Sequence, residues 1–192
     1  MNYSAIENME SARMGFMASH ILRSDPKHLS FTAARYKFVA KMLEGKKRVL
    51  EVGAGDGFFS AIVRQHVADL ILTDLVDRPG IAFHDMVLAP RFDGLDAGYC
   101  LDVLEHIPED QEDAFLKNFK TSICGPVIVG MPSIESQVHA SVYSREGHVN
   151  CKTKEGLRQT MRRTFSEVFM FAMNDEVVHT GIMANYWIAI GV

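Results

Sequence analysis

One stretch constrains this chain more than any other: Val49-Leu50-Glu51-Val52-Gly53-Ala54-Gly55-Asp56-Gly57-Phe58-Phe59-Ser60. It begins as an apolar, β-branched run of the kind that forms a buried parallel strand. Gly53, Gly55 and Gly57 follow, and then Phe58, Phe59, Ile62 and Val63 are spaced to line one face of a helix, expected over about Gly57–His66. A strand, a glycine-rich turn and a helix in that order set backbone N–H groups at a helix N-terminus, where a ligand can come close. Taken alone, the same residues would also make a tight turn that binds nothing.

The remaining pattern gives this turn a context. Apolar runs suited to strands recur at Arg48–Val52, Asp69–Asp74, Ile81–His84, Ala97–Leu101 and Pro126–Met131, and two more at Val168–Met173 and Asn185–Ile190. The last two are close enough in sequence to pair antiparallel. Helical patterns separate them: Glu109–Lys120, with acids early and lysines late, and Thr153 to about Phe165, with Thr153 as cap. Two further helices precede the first strand, over Ile6–Ile21 and from Ser30 to Gly45. Ser30 is the expected cap of the second, and Phe31, Ala34, Phe38 and Met42 its apolar face. Alternation of strand and helix predicts an α/β fold with a mostly parallel sheet covered by helices on both faces.

A chain of 192 residues with 47% apolar content suits one domain with an ample core. No apolar run reaches the roughly 20 residues that cross a bilayer, and Met1 to His20 lacks the pattern of a secretory signal. Three cysteines without paired spacing (Cys100, Cys124, Cys151) fit a reducing, cytoplasmic setting. The net charge of −4 argues against a nucleic-acid partner. The one basic cluster, Lys152, Lys154, Arg158, Arg162 and Arg163, reads as the solvated face of a helix.

The chemistry of the glycine turn narrows next. A dinucleotide fingerprint would place its third glycine where Phe58 stands, so a nicotinamide oxidoreductase is disfavoured. A phosphate-cradling P-loop would end in Gly-Lys-Ser/Thr, and none is present. Asp74 ends the second apolar strand about 20 residues beyond the glycines, where an acid can accept hydrogen bonds from ribose hydroxyls. Leu75, the pair Asp85-Met86, and the segment Tyr99-Cys100-Leu101-Asp102-Val103-Leu104-Glu105-His106-Ile107-Pro108 complete the set.

These residues resemble the class I, Rossmann-like S-adenosylmethionine-dependent methyltransferases of the small-molecule type. The glycine motif, the acid at the second strand and the Leu-Glu-His-Ile segment after the fourth carry the likeness, over Val49 to Pro108. The resemblance implies a seven-stranded sheet with an antiparallel last strand, residues 46–192 forming the core and 1–45 part of the substrate cover. It implies S-adenosylmethionine as cofactor, bound along Glu51, Gly53, Ala54 and Gly55. Asp74 would hold the ribose, Leu75 and Met86 cover the adenine, Asp85 meet its amino group, and Asp102 and Val103 border the cofactor. Glu105 and His106 are expected to hold their turn together by hydrogen bonds. Neither the Asn/Asp-Pro-Pro-Tyr of amino-methylating relatives nor the Pro-Cys of cytosine-methylating ones follows strand four.

The acceptor must be read from Pro132–Asn150, which has no clean period. Methyl transfer to a hydroxyl needs a base, and histidine is suited near neutral pH. His139 is the first candidate, for its polar neighbours Gln137, Ser141 and Tyr143. His148 is the second, with an alternative part in ordering its loop, and His179 and Glu135 are further options. A metal site from Glu135, His139, His148 and Cys151 matches no common zinc spacing, so none is expected. The reading is a methyltransferase acting on an oxygen of a small molecule such as a sugar, lipid precursor or secondary metabolite, with a homodimer left open. The alternative is a cofactor-binding or structural subunit that no longer catalyses.

Overall fold

Helix α1 (Phe16–Ser24) and helix α2 (Pro26–Met42) meet at Asp25, in a computed structural model that describes residues 14–90 and 92–192. The start of the helix expected over Ile6–Ile21 lies outside the described residues. Helix α2 begins at Pro26, not after Ser30, because proline at a first turn has no N–H to leave unpaired. Its buried face is also not the one expected. Thr32, Tyr36, Val39 and Ala40 are inside, while Met42 is exposed.

The strands are β1 (Arg48–Val52), β2 (Asp69–Asp74), β3 (Ala82–Phe83), β4 (Ala97–Leu101), β5 (Val127–Pro132), β6 (Val168–Asn174), β7 (Val177–His179) and β8 (Tyr186–Gly191). They form one sheet in the order β3-β2-β1-β4-β5-β8-β6-β7. The first five pair in parallel. β8 inserts antiparallel between β5 and β6, with Val129 opposite Ala189 and Met170 opposite the same residue on the other side. The seven expected strands are present. The eighth, β7, is a three-residue strand hairpinned onto the edge of β6 through Asp175, whose φ of +51° makes the turn. β3 is shorter than expected.

Side chains alternate across the sheet, so each face carries its own core. On one side Leu50, Val52, Cys100 and Val129 pack with Phe115, Leu116 and Phe119 of helix α4 (Glu112–Ser122) and with Leu157 and Met161. On the other, Val49, Tyr99, Ile128 and Ile188 pack with Tyr36, Val39 and Leu43 and with Val63 of the short helix α3 (Ser60–Arg64). The stretch after β5 forms a 3-10 turn (Glu135–His139) and helix α5 (Val142–Gly147), and helix α6 (Lys154–Arg162) then returns to the sheet. Thr153 caps α6 as expected, accepting from the Gly156 N–H at 3.0 Å. Asn150 pins the whole stretch to the end of β4: its N–H donates to the Glu105 carbonyl, and its side-chain amide donates to the Ile107 carbonyl and to Glu112. β1, β2, β4 and β5 therefore discharge their loops along one edge, with Gly53, Leu75, Asp102 and Ser133 side by side in the topology.

Candidate active site

The glycine turn is built from the inside. Gly53 has φ of +77°, and a Cβ there would lie 2.3 Å from Val103 Cγ2, so only glycine fits. Gly53 and Ala54 both donate their N–H to the Thr73 carbonyl, at 2.8 and 3.0 Å, and Gly57 donates to the Ala54 carbonyl at 2.9 Å. The Gly55 N–H donates to Asp74 Oδ2 at 2.8 Å. The N–H groups of Gly53, Ala54, Gly55 and Gly57 are thus used within the protein. The helix expected to start at Gly57 starts at Ser60 and lasts one turn, because positive φ at Gly53, Gly55 and Gly57 holds the chain out of helical geometry until then. The turn also offers space: nothing lies within 4 Å of where a Gly55 Cβ would stand.

Around that space, Asp74 closes β2. Its carboxylate also accepts from the Val76 N–H at 3.0 Å and faces Arg78, whose guanidinium donates to the Gly55 carbonyl at 2.9 Å. Leu75 follows it, 63% exposed. The half-buried Asp85 accepts from the Val87 N–H at 2.9 Å. Met86 does not present its side chain there. Asn118 of α4 donates to the Met86 and Val87 carbonyls, and the thioether is buried in the core beneath. Glu51 is likewise internal, 1% exposed, accepting from the Tyr36 hydroxyl at 2.8 Å and the Tyr99 hydroxyl at 2.6 Å. Burial raises its pKa against the pull of these hydrogen bonds. It ties α2 to the sheet.

At the end of β4, Asp102 adopts φ of +57° and receives both hydrogen bonds of Arg35, at 3.1 and 3.0 Å. The Arg35 guanidinium lies 3.8 Å from the ring centroid of Tyr186. The half-buried Val103 packs against Gly53. Arg35 was not identifiable as a site residue from the apolar pattern of α2. Its signal was its place within the polar-and-aromatic face Thr32-Arg35-Tyr36, which a search for apolar spacing passes over.

Beyond Asp102 lies a second group. Glu105 is 0% exposed, and neither carboxylate oxygen has a hydrogen-bond partner among the described residues. The expectation that it holds its turn by hydrogen bonds is therefore wrong for its side chain. Burial, and then the charge of Asp102, drive its pKa well up. His106 does bond, through Nδ1 to the Gly147 carbonyl at 2.8 Å. His148 Nδ1 meets Gln137 Oε1 at 2.8 Å, and Gln137 is oriented by its own Nε2–H to the Ser133 carbonyl at 3.3 Å. Both acceptors are carbonyl oxygens, so Nδ1 of each histidine is the donor. Burial, and then the neighbouring His106, lower the pKa of His148. The Cys151 thiol is pushed up to about 11 by burial and by the charges of Glu105 and Asp102.

The candidates from the irregular stretch thus separate. His148 joins Glu105 and His106, with the two imidazole centroids 5.1 Å apart. His139 is exposed at the end of the 3-10 turn, and its neighbour Gln137 serves His148 instead. Glu135 is exposed, and His179 is used within the β6–β7 hairpin, bonding Asn174 and the Gly181 N–H. In the basic cluster, Lys152 and Arg163 pair with Glu112, Arg158 pairs with Glu155, and Lys154 donates to the Thr180 and Gly181 carbonyls. No helix is long and apolar enough to cross a membrane among the described residues.

No protein-family model and no curated protein matches the sequence. Solved structures do match. A SAM-dependent methyltransferase from Archaeoglobus fulgidus is similar with a TM-score of 0.70 at 14% identity, over 92% of this chain and 99% of that one. A SAM-dependent methyltransferase from Thermotoga maritima, described as a possible histamine N-methyltransferase, gives 0.69 at 18% identity, over 90% and 94%. The chain has the class I methyltransferase fold. The methyltransferase domain of a bacterial Hen1 shares it, with a TM-score of 0.66 at 16% identity over 84% and 98%. In the methyltransferase fold of this chain, the glycine turn, Asp74 and Asp102 stand at the carboxyl ends of β1, β2 and β4, the edge at which open α/β sheets bind ligands.

Proposed function

We propose that the chain is an S-adenosylmethionine-dependent methyltransferase, and that it methylates an oxygen of a small molecule. The observation that carries the reading is Asp74, a carboxylate at the end of β2, fixed to Gly55 beside open space and followed by an exposed leucine. Ribose hydroxyls would donate to the carboxylate, and Leu75 would lie against the adenine. Asp102 and Val103 would border the cofactor from β4, and Asp85 its adenine end.

S-adenosylmethionine, held at Asp74, Asp85, Asp102 and Val103, would supply the methyl carbon on its sulfonium sulfur to the acceptor oxygen. Alignment of the three atoms supplies most of what the protein must add. The acceptor hydroxyl would lose its proton beside the Glu105, His106 and His148 group. His148 fits this part better than His139, which stands outside the group.

Calorimetric titration with S-adenosylhomocysteine tests the reading, and no binding at high micromolar concentration would overturn it. Asp74→Ala is expected to weaken that binding by about 1–3 kcal/mol, the scale of hydrogen bonds to a charged group. Unchanged affinity would place the ribose elsewhere.

A further inference from the structure

We infer that Glu105, His106 and His148 form a binding site for a divalent transition-metal cation at the acceptor end of the cleft. One ligand atom from each lies within 4.8 Å of the others. Ligands about 2.1 Å from a shared metal stand roughly 3–4 Å apart, so side-chain rotation alone closes the group. Two imidazoles and a carboxylate are a donor set for zinc, manganese or iron, and three protein ligands leave positions open for a substrate oxygen or water.

Two independent features agree. The carboxylate of Glu105 is wholly buried with both oxygens unpartnered, in a protein whose other buried acids, Glu51 and Glu112, have all been given donors. A buried carboxylate left without donors is costly, and a cation is the partner its two neighbours are placed to share. Each histidine is also held as a ligand would be, with its Nδ1 hydrogen-bonded to a carbonyl oxygen, which leaves Nε2 as the nitrogen available to the group.

The use of the site rests on the methyltransferase reading. A hydroxyl on the open coordination position would be acidified and held beside Asp102, next to the methyl donor. Cation binding itself does not depend on that reading, so the two can fail separately.

The test is calorimetric titration of chelator-dialysed protein with MnCl2 and, separately, with ZnCl2, alongside S-adenosylhomocysteine. One equivalent of at least one metal is expected to bind. His148→Ala and Glu105→Gln should abolish binding, and Gln137→Ala, which acts through His148, should weaken it roughly 10–100-fold. His20→Ala, on the exposed side of α1, should leave it unchanged. Circular dichroism confirms folding, and the volume-conserving Glu105→Gln stands in if His148→Ala does not fold. Binding that depends on these residues upholds the site whether or not S-adenosylhomocysteine binds. Neither metal saturating below about 1 mM, or binding indifferent to both Glu105→Gln and Gln137→Ala, overturns it even if S-adenosylhomocysteine binds.

Discussion

Asp102 combines two roles that pull on the same residue. Its backbone sits in the left-handed region at φ of +57°, and both its carboxylate oxygens accept from Nη1 of Arg35, whose side chain is 13% exposed. Aspartate and asparagine tolerate this backbone better than other L-residues. The two roles can therefore be separated. Asp102→Asn should keep the backbone and lose the charge pairing, at about 1–3 kcal/mol, reduced because Asp102 is 35% exposed. Asp102→Ala should cost about 1 kcal/mol more, from the strained φ. Urea denaturation of both variants measures the difference, and equal losses would mean that the backbone carries no strain. The same position shows why function and strain coincide: the turn that lifts Asp102 out of β4 is what aims its carboxylate at Arg35.

Helix α1 is fastened to the glycine turn, not only to the core. Asp56 Oδ2 accepts from the N–H groups of Met17 and Ala18 at 2.9 and 3.2 Å, and so caps a helix far from it in sequence. Gly15 allows the approach, since a Cβ there would stand 2.2 Å from the Asp56 side chain. Asp56→Ala should destabilise α1 by about 1 kcal/mol, seen as faster amide exchange over Phe16–Ser24 with the sheet unchanged. Exchange unaltered in α1 would show that its packing on α2 suffices. This contact was not legible in the sequence, because it joins elements that share no pattern. The strands were legible. β1, β2 and β4 begin and end where the apolar runs do, since strands buried on both faces admit little else. Short helices were not: Phe58 and Phe59 have helical spacing, yet the glycine torsions decide where α3 starts. The site divides in the same way. Asp74 and Asp102 are marked by the ends of strands, whereas His148 meets Glu105 only because Asn150 anchors its loop, a fact of tertiary structure.

Two carboxylates with depressed pKa values tie elements of the fold together, and they set its acid limit. Glu112 is buried between α4 and α6 with Asn150, Lys152 and Arg163 around it. Burial works against its charge, but the hydrogen bonds from Asn150, Lys152 and Arg163 outweigh it and hold its pKa below the usual 4.5. Asp96 accepts from the N–H groups of Lys47 and Arg48 where β1 begins, at 2.8 and 2.9 Å, and these bonds hold its pKa below the usual 3.8. A carboxylate with a depressed folded pKa contributes fully above its unfolded value and loses that contribution as pH falls through the folded one. Wild-type stability should therefore fall as the pH drops below 4.5, the usual value for Glu112, and Asp96 adds to the loss below 3.8. Glu112→Gln should lower stability near pH 7 by about 2–3 kcal/mol, at the modest end because Arg163 can return to water. It should also flatten the acid limb, since the variant has no proton to take up there. Urea midpoints measured from neutral pH into the acid range for both proteins decide this. Parallel curves would mean that Lys152 and Arg163 are held by packing alone and that the acid limb belongs to other groups.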